Sequence, residues 1–234
     1  MPPTCEFLPW DTEFFGVRTA RIHGAISRDQ MPVIEDWCAK EKIRCAYLLV
    51  GSEDAETIRV AEDHHFHLAD LRLTLERRLL GDLAMPTCVR PALESDLPEI
   101  VSMARVNHTD SRFYYDPGFP RERCDALYAT WAEKSCRGWA DAVFVAEQDG
   151  RTAGYITCHD DKTWGRIGLV GVAEWARGGG LGRELLQASL SFFGSRKLPF
   201  VTVVTQLRNV GAQRLYQRNG FVARSLELWY HRWF

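Results

Sequence analysis

The chain has 234 residues, of which 46% are hydrophobic, 26% charged and 12% aromatic, a composition that excludes disordered, collagen-like and coiled-coil chains. Lys and Arg number 29 against 31 Asp and Glu, so the net charge is -2 and the bulk basic footprint of a nucleic-acid module is missing. Seven cysteines without a C-x-x-C or other metal spacing, an N-terminus without a basic-then-apolar leader, and no apolar run of bilayer length predict a reduced, cytoplasmic protein that binds neither nucleic acid nor membrane.

In chain order, Leu8–Val17 is an aromatic opening segment, followed by helical spacing over Pro32–Lys42 with Val33, Ile34, Trp37 and Cys38 on one face. Ala46–Val50 reads as a short buried strand, 53–64 as a helix and Leu71–Leu75 as an alternating strand. Gly81 and Pro86 punctuate an expected linker over 79–87, which divides a small α/β unit, residues 1–80, from a larger domain, residues 88–234. After a strand at Cys88–Arg90, Asp96 is the expected N-cap of a helix reaching Asn107, and Pro98 suits its first turn. Residues 108–121 read as a loop and 121–136 as a helix with Leu127, Tyr128 and Trp131 on one face. Val143–Glu147 and Thr152–His159 form a hairpin about Asp149-Gly150, and Arg166–Val172 is a third strand. A helix over 181–193, a strand at Phe200–Thr205, a helix over 209–219 and a strand over 224–232 complete an α+β sheet domain rather than an alternating α/β one.

Chemistry concentrates in two segments. In Val170-Gly171-Val172-Ala173-Glu174-Trp175-Ala176-Arg177-Gly178-Gly179-Gly180-Leu181-Gly182 a strand gives way to a glycine-rich turn and then to a helix. Successive backbone N–H groups there, joined by the free N–H groups of the helix start, form an anion-binding nest. Glycine lets the backbone approach an anion closely, and Arg177 adds a guanidinium suited to phosphate. The spacing matches neither G-x-x-x-x-G-K-[ST] nor G-x-G-x-x-G. Downstream, Asn209 opens a helix on which Ala212, Leu215 and Tyr216 share a face, and Gly220 closes it.

Arg-x-x-Gly-x-Gly after a strand, followed by a helix reading Asn-x-x-Ala-x-x-Leu-Tyr-x-x-x-Gly-Phe, resembles the GNAT superfamily of acyl-CoA-dependent N-acyltransferases over about residues 88–234. That resemblance implies a mixed, mostly antiparallel sheet flanked by helices, with acetyl-CoA as co-substrate and no metal. It assigns the backbone of Val172 and Gly178, Gly179, Gly180, Leu181 and Gly182, with Arg177 alongside, to the CoA pyrophosphate. Leu169, Val170, Gly171 and Val172 would run beside pantetheine and face the acyl carbonyl. Asn209, with Ala212 and Leu215 on its helix, would touch the pantetheine arm, and Tyr216 would be the general acid for the thiolate. A phenol near ~10 is only a little weaker an acid than a thiol near ~8.5, so the proton is readily shared as the intermediate collapses. The amine must arrive neutral, so a base or a water chain is needed.

Leu8–Val17, Ser111–Tyr114, Trp131, Thr205-Gln206 and Trp229-Tyr230 together resemble the branch of that family that acetylates dTDP-linked 4-amino-4,6-dideoxyhexoses. The implied partner is a small-molecule acceptor, an amino-sugar nucleotide, and a homodimer is left open. Asp70 is either a base or ammonium-binding group, or an exposed strand-end carboxylate. Arg112 is either a cation free to reach a nucleotide phosphate or a surface arginine. Phe14, Phe15, Phe113, Tyr114 and Trp131 either wall a sugar or thymine pocket or belong to the core. His64, His65 and His67 have no further Cys/His spacing and read as a solvated helix end. Cys136 and Cys158 lack a neighbouring base in sequence, which favours direct transfer over a covalent acyl carrier. Rival readings are a family member acting on another small amine, a peptide N-terminus or a protein lysine, and a non-catalytic acyl-CoA sensor.

Overall fold

The computed structural model describes residues 4–81 and 83–234; residue 82, inside the expected linker, and residues 1–3 lie outside the described residues. Its strands are β1 (Thr4–Phe7), β2 (Thr19–His23), β3 (Cys45–Gly51), β4 (His67–Arg78), β5 (Val89–Pro91), β6 (Ala142–Gln148), β7 (Arg151–Asp160), β8 (Gly165–Val172), β9 (Phe200–Gln206) and β10 (Val222–Trp233). All lie in one ten-stranded sheet of order β1-β2-β3-β10-β4-β9-β8-β7-β6-β5. Only β2–β3 and β8–β9 pair in parallel, so the α+β, mostly antiparallel architecture is the observed one. The helices are α1 (Pro9–Phe15), α2 (Met31–Lys40), α3 (Ala55–Asp63), α4 (Leu97–Asn107), α5 (Arg112–Tyr115), α6 (Arg121–Lys134), α7 (Leu181–Ser195) and α8 (Val210–Arg218). None of the described helices is long and apolar enough to cross a membrane.

The last strand is an insertion that the sequence does not announce. β10 runs between β3 and β4, pairing Trp229 with Leu49 on one side and with Asp70 on the other. Cross-strand partners point to the same face and neighbours along a strand to opposite faces. On one face of this half, Ala20, Ile22, Ala46, Leu48, Val50 and Tyr230 bury one core with α2 and α3. On the other, Tyr47 joins Phe15, Phe113 and Phe119 in a core that continues under α4, α6 and α7.

Several local expectations are corrected. The 108–121 segment is not all loop, because Arg112–Tyr115 makes one helical turn after Ser111. α6 passes at Ser135 into a wide turn over Ser135–Trp139, where Gly138 has φ +101°. The alternating 71–75 stretch is the middle of twelve-residue β4, whose charged end persists because Arg77 pairs with Val201 and donates to the Asn219 carbonyl. Asp96 stands at the N-cap position of α4, but its side chain makes no capping bond to that helix. Its carboxylate accepts from Leu93 N–H at 2.7 Å, from both Arg90 terminal nitrogens and from the Thr152 hydroxyl, which hold it down at about 2.

Candidate active site

The splitting of one strand pair opens the site. β8 and β9 pair only from Gly165 opposite Val201 to Ile167 opposite Val203. Just beyond, β8 carries one residue more than β7 between its partners Cys158 and Ile156, a β-bulge that bends the strand. The Thr157 hydroxyl accepts from Leu169 N–H at 2.8 Å there. Gly168 is required at this point, since a Cβ would lie 2.5 Å from Thr157 Oγ1 and 2.7 Å from His159 Nε2. Leu169 to Val172 therefore leave β9, and Val170, Gly171 and Val172 border a cleft of about 870 Å³ with a backbone edge that no strand pairs.

The glycine-rich turn forms one wall of that cleft. Gly178 and Gly180 have φ +84° and +88°, a left-handed backbone that favours glycine, and Gly180 is the N-cap of α7 without any side-chain cap. The N–H groups of Gly178, Gly179, Gly180, Leu181 and Gly182 find no acceptor among the described residues; the first α7 contacts back to the turn are Arg183 and Glu184 N–H to the Gly180 carbonyl. Free donors at a helix start can seat an anion. Arg177 is turned back toward the strand, donating to Asn107 Oδ1 at 2.6 Å and to the Val172 carbonyl at 3.4 Å, while Asn107 Nδ2 reaches the same carbonyl at 3.2 Å.

The opposite wall is α8. Asn209 Oδ1 accepts from Ala212 N–H at 2.9 Å, a side-chain N-cap, and Asn209, Ala212, Leu215 and Tyr216 all border the cleft. α7 and α8 close together at Gly182, where a Cβ would stand 3.3 Å from Leu215 Cδ2. Tyr216 is 5% exposed and its ring packs on Phe221 at 5.7 Å. Burial raises its phenol above the ordinary value, so it holds its proton at neutral pH. Arg183, Arg214 and Arg218 also rim the cleft; sequence reasoning passed over them, although Arg214 and Arg218 are four apart on one helix.

The structure places the remaining candidates on the far side of β9. Asp70 is not an exposed strand end: it is 3% exposed in β4, opposite Trp229, with Arg208 at 3.3 Å. Burial pushes its carboxyl up to about 6 in spite of that arginine. Arg112 is not a free cation either. Its guanidinium lies over the rings of Tyr47, Phe113 and Trp229 at 4.1, 4.4 and 4.1 Å and donates to His231 Nε2 at 2.6 Å. His231 in turn gives its Nδ1 proton to Asp116 at 2.5 Å, and burial holds the imidazole down at about 4, hence neutral. Phe15 and Phe113, 3% and 5% exposed, stack on each other at 4.9 Å inside the core. Phe14 stacks on Trp10 at 4.9 Å, and Trp10 meets Trp131, so these rings form one aromatic wall, with Arg123 over Phe14 and Lys134 over Trp10. His64 meets Glu35 at 3.5 Å.

The family model described as "Acetyltransferase (GNAT) family" matches residues 100–221. The chain is 31% identical over 145 residues to the spore coat polysaccharide biosynthesis protein SpsD of Bacillus subtilis strain 168, a match covering 61% of this chain but only 50% of SpsD. It is 25% identical over 236 residues to the dTDP-fucosamine acetyltransferase of Escherichia coli O6:H1, covering 97% of both chains. Among solved structures, a GCN5-related N-acetyltransferase from Sphaerobacter thermophilus shares the fold with a TM-score of 0.69 at 16% identity, over 99% of this chain and 76% of that one.

Proposed function

The chain belongs to the acetyltransferase (GNAT) family, and from that premise we propose that it transfers the acetyl group of acetyl-CoA directly to the amine of a nucleotide-linked amino sugar of the dTDP-4-amino-4,6-dideoxyhexose type. The observation that carries the co-substrate is the run of N–H groups at Gly178–Gly182 without an acceptor among the described residues, at the start of α7, which suits a pyrophosphate. Arg183, Arg214 and Arg218 add positive charge at the same rim. The acceptor class is supported by the full-length likeness to a dTDP-fucosamine acetyltransferase and by the partial likeness to a polysaccharide biosynthesis protein.

Acetyl-CoA supplies an activated thioester; the rest is done by this chain. The edge at Val170–Val172 orients the acyl carbonyl, and N–H groups along it stabilise negative charge developing on that oxygen, while Leu169 N–H is held by Thr157. Tyr216, protonated because it is buried, gives its proton to the departing sulfur. Asp70, ionised above about pH 6, takes the amine's proton through water, and Asp110 is the carboxylate that borders the cleft itself. An acetyl-transfer assay over amino-sugar nucleotides, small amines and peptides tests the reading. Turnover confined to nucleotide-linked amino sugars is expected; turnover on peptides or simple amines alone refutes the acceptor, and tight acetyl-CoA binding with no turnover identifies a sensor.

A further inference from the structure

Two cations on the acceptor side of the sheet have no carboxylate in ion-pair contact among the described residues. Arg21 faces Tyr47 across β2–β3, Tyr47 faces His231 across β3–β10, and Trp229 sits two residues before His231 on the same strand. Arg21, Tyr47, Trp229 and His231 therefore project from one face of the sheet, the face that α5 covers with Arg112. The Arg21 guanidinium lies 5.1 Å from the Trp229 ring and that of Arg112 lies 4.1 Å from the same ring. Neither has a carboxylate within the 4.0 Å of an ion pair among the described residues. The charge of Asp11 reaches both and that of Asp70 reaches Arg112, but neither carboxylate stands within that range of a guanidinium nitrogen of Arg21 or Arg112.

Two like charges sharing one indole in a partly dry chamber repel, and an arginine withdrawn from water without a counter-ion is costly. The cost is visible in the hydrogen bonds. Arg21 Nε is buried with no acceptor. Arg112 uses one terminal nitrogen on a neutral histidine, an acceptor without charge. His231 is anchored by Asp116, which also accepts from Trp233 Nε1 at 3.0 Å and from Gly118 N–H at 2.9 Å. A guanidinium held this firmly, with no carboxylate in direct contact, is prepared for an anion that arrives with a ligand.

We infer that Arg21 and Arg112, joined over Trp229, form a diphosphate subsite for the acceptor, separate from the glycine-rich seat at Gly178–Gly182. The inference rests on the acceptor being nucleotide-linked. Two planar guanidinium forks match the oxygens of two linked phosphates, and the surrounding aromatic rings keep water from screening the contact. The enzyme then has two anion seats built by different means: backbone N–H groups for one substrate and paired arginines for the other.

The test is calorimetric titration of the full chain, saturated with CoA so that the glycine-rich seat is filled, with thymidine diphosphate and with inorganic pyrophosphate. Both probes are expected to bind. Arg21→Gln and Arg112→Lys, the second keeping charge but losing the fork, should each weaken thymidine diphosphate by about tenfold or more. CoA affinity in each variant reports that the fold is intact, and Arg21→Gln serves if Arg112→Lys does not fold. No binding to the CoA-saturated protein, or equal affinity in wild type and folded Arg21→Gln, overturns the subsite. If thymidine diphosphate binding depends on Arg21 while no amino-sugar nucleotide is acetylated, the subsite stands and the acceptor reading falls. If such a sugar is acetylated with its KM unchanged in Arg21→Gln, the reading stands and the subsite falls.

Discussion

The glycine-rich turn and the aromatic region beyond β9 are built on opposite plans. The glycine-rich seat takes its donors from consecutive backbone groups, Gly178 to Gly182, with no side chain involved. The chamber beyond β9 takes its groups from Asp11, Arg21, Tyr47, Asp70, Arg112, Trp229 and His231, on six strands and helices drawn from the start, the middle and the end of the chain. A backbone site tolerates any neighbouring side chains so long as φ can be positive at Gly178 and Gly180. A side-chain site depends on register, because slipping β10 by one residue would turn Trp229 and His231 to the opposite face. Substitutions should therefore separate cleanly: seat variants alter co-substrate affinity, chamber variants alter acceptor use, and a residue between them alters turnover alone.

The sharpest break of that division comes at Tyr216. Tyr216→Phe keeps the ring against Phe221 and deletes only the hydroxyl. If the phenol is the general acid, kcat should fall by ~10² to ~10⁴ while CoA affinity changes little. Single-turnover kinetics and CoA titration decide it, and a near-normal kcat would hand the proton to another group or to water.

On the chamber side, Asp70 should set the acid limb of the pH profile. A carboxyl raised to about 6 is neutral below that pH and ionised above it. A group that accepts a proton or holds an ammonium works in the ionised form, so kcat should rise with pH through about 6. Asp70→Asn should lose this limb and about a hundredfold in kcat at neutral pH. A limb that survives in Asp70→Asn belongs to another group.

How much of this could be read beforehand follows from the same contrast. Arg177, the glycine turn, Asn209 and Tyr216 are contiguous or one helix apart, and local chemistry alone marks them. The hairpin at Asp149-Gly150 and the helix starting at Leu181 are equally local. The splay of β8 was beyond reach, since it depends on a bulge fixed by Thr157 and Gly168 on different strands. So was the insertion of β10, which buries Asp70 and gives Arg112 its aromatic box. A lone aspartate in a strand and a lone arginine in a loop carry no signal of what the sheet will place beside them.

On the seat side, Gly180→Val probes the backbone itself. A Cβ at 180 meets no protein atom within 4 Å, so crowding inside the fold is not the obstacle. The obstacle is φ +88°, which a β-branched residue resists by about 1 to 3 kcal/mol, and the branch would also stand where the anion must approach. CoA affinity should weaken by about tenfold to a hundredfold, with acceptor KM little altered. Unchanged CoA affinity in a folded Gly180→Val protein would remove the seat assignment.

The smallest effect separates two jobs held by one side chain. Asn209 uses Oδ1 to cap α8, which leaves Nδ2 to face the cleft. Asn209→Ala removes both functions and should cost about 1 kcal/mol of stability, the ordinary value of a side-chain N-cap. Asn209→Asp keeps an oxygen for Ala212 N–H, and a negative charge at a helix start is favourable, so the fold should keep its melting temperature. It does lose the amide donor, and one neutral hydrogen bond is worth about 0.5 to 1.5 kcal/mol, or about twofold to tenfold in CoA affinity. Thermal melts and CoA titrations on both variants divide the outcomes. If Asn209→Asp binds CoA as well as wild type, Asn209 serves the fold only, and the contact with the pantetheine arm must come from the neighbouring Ala212 and Leu215.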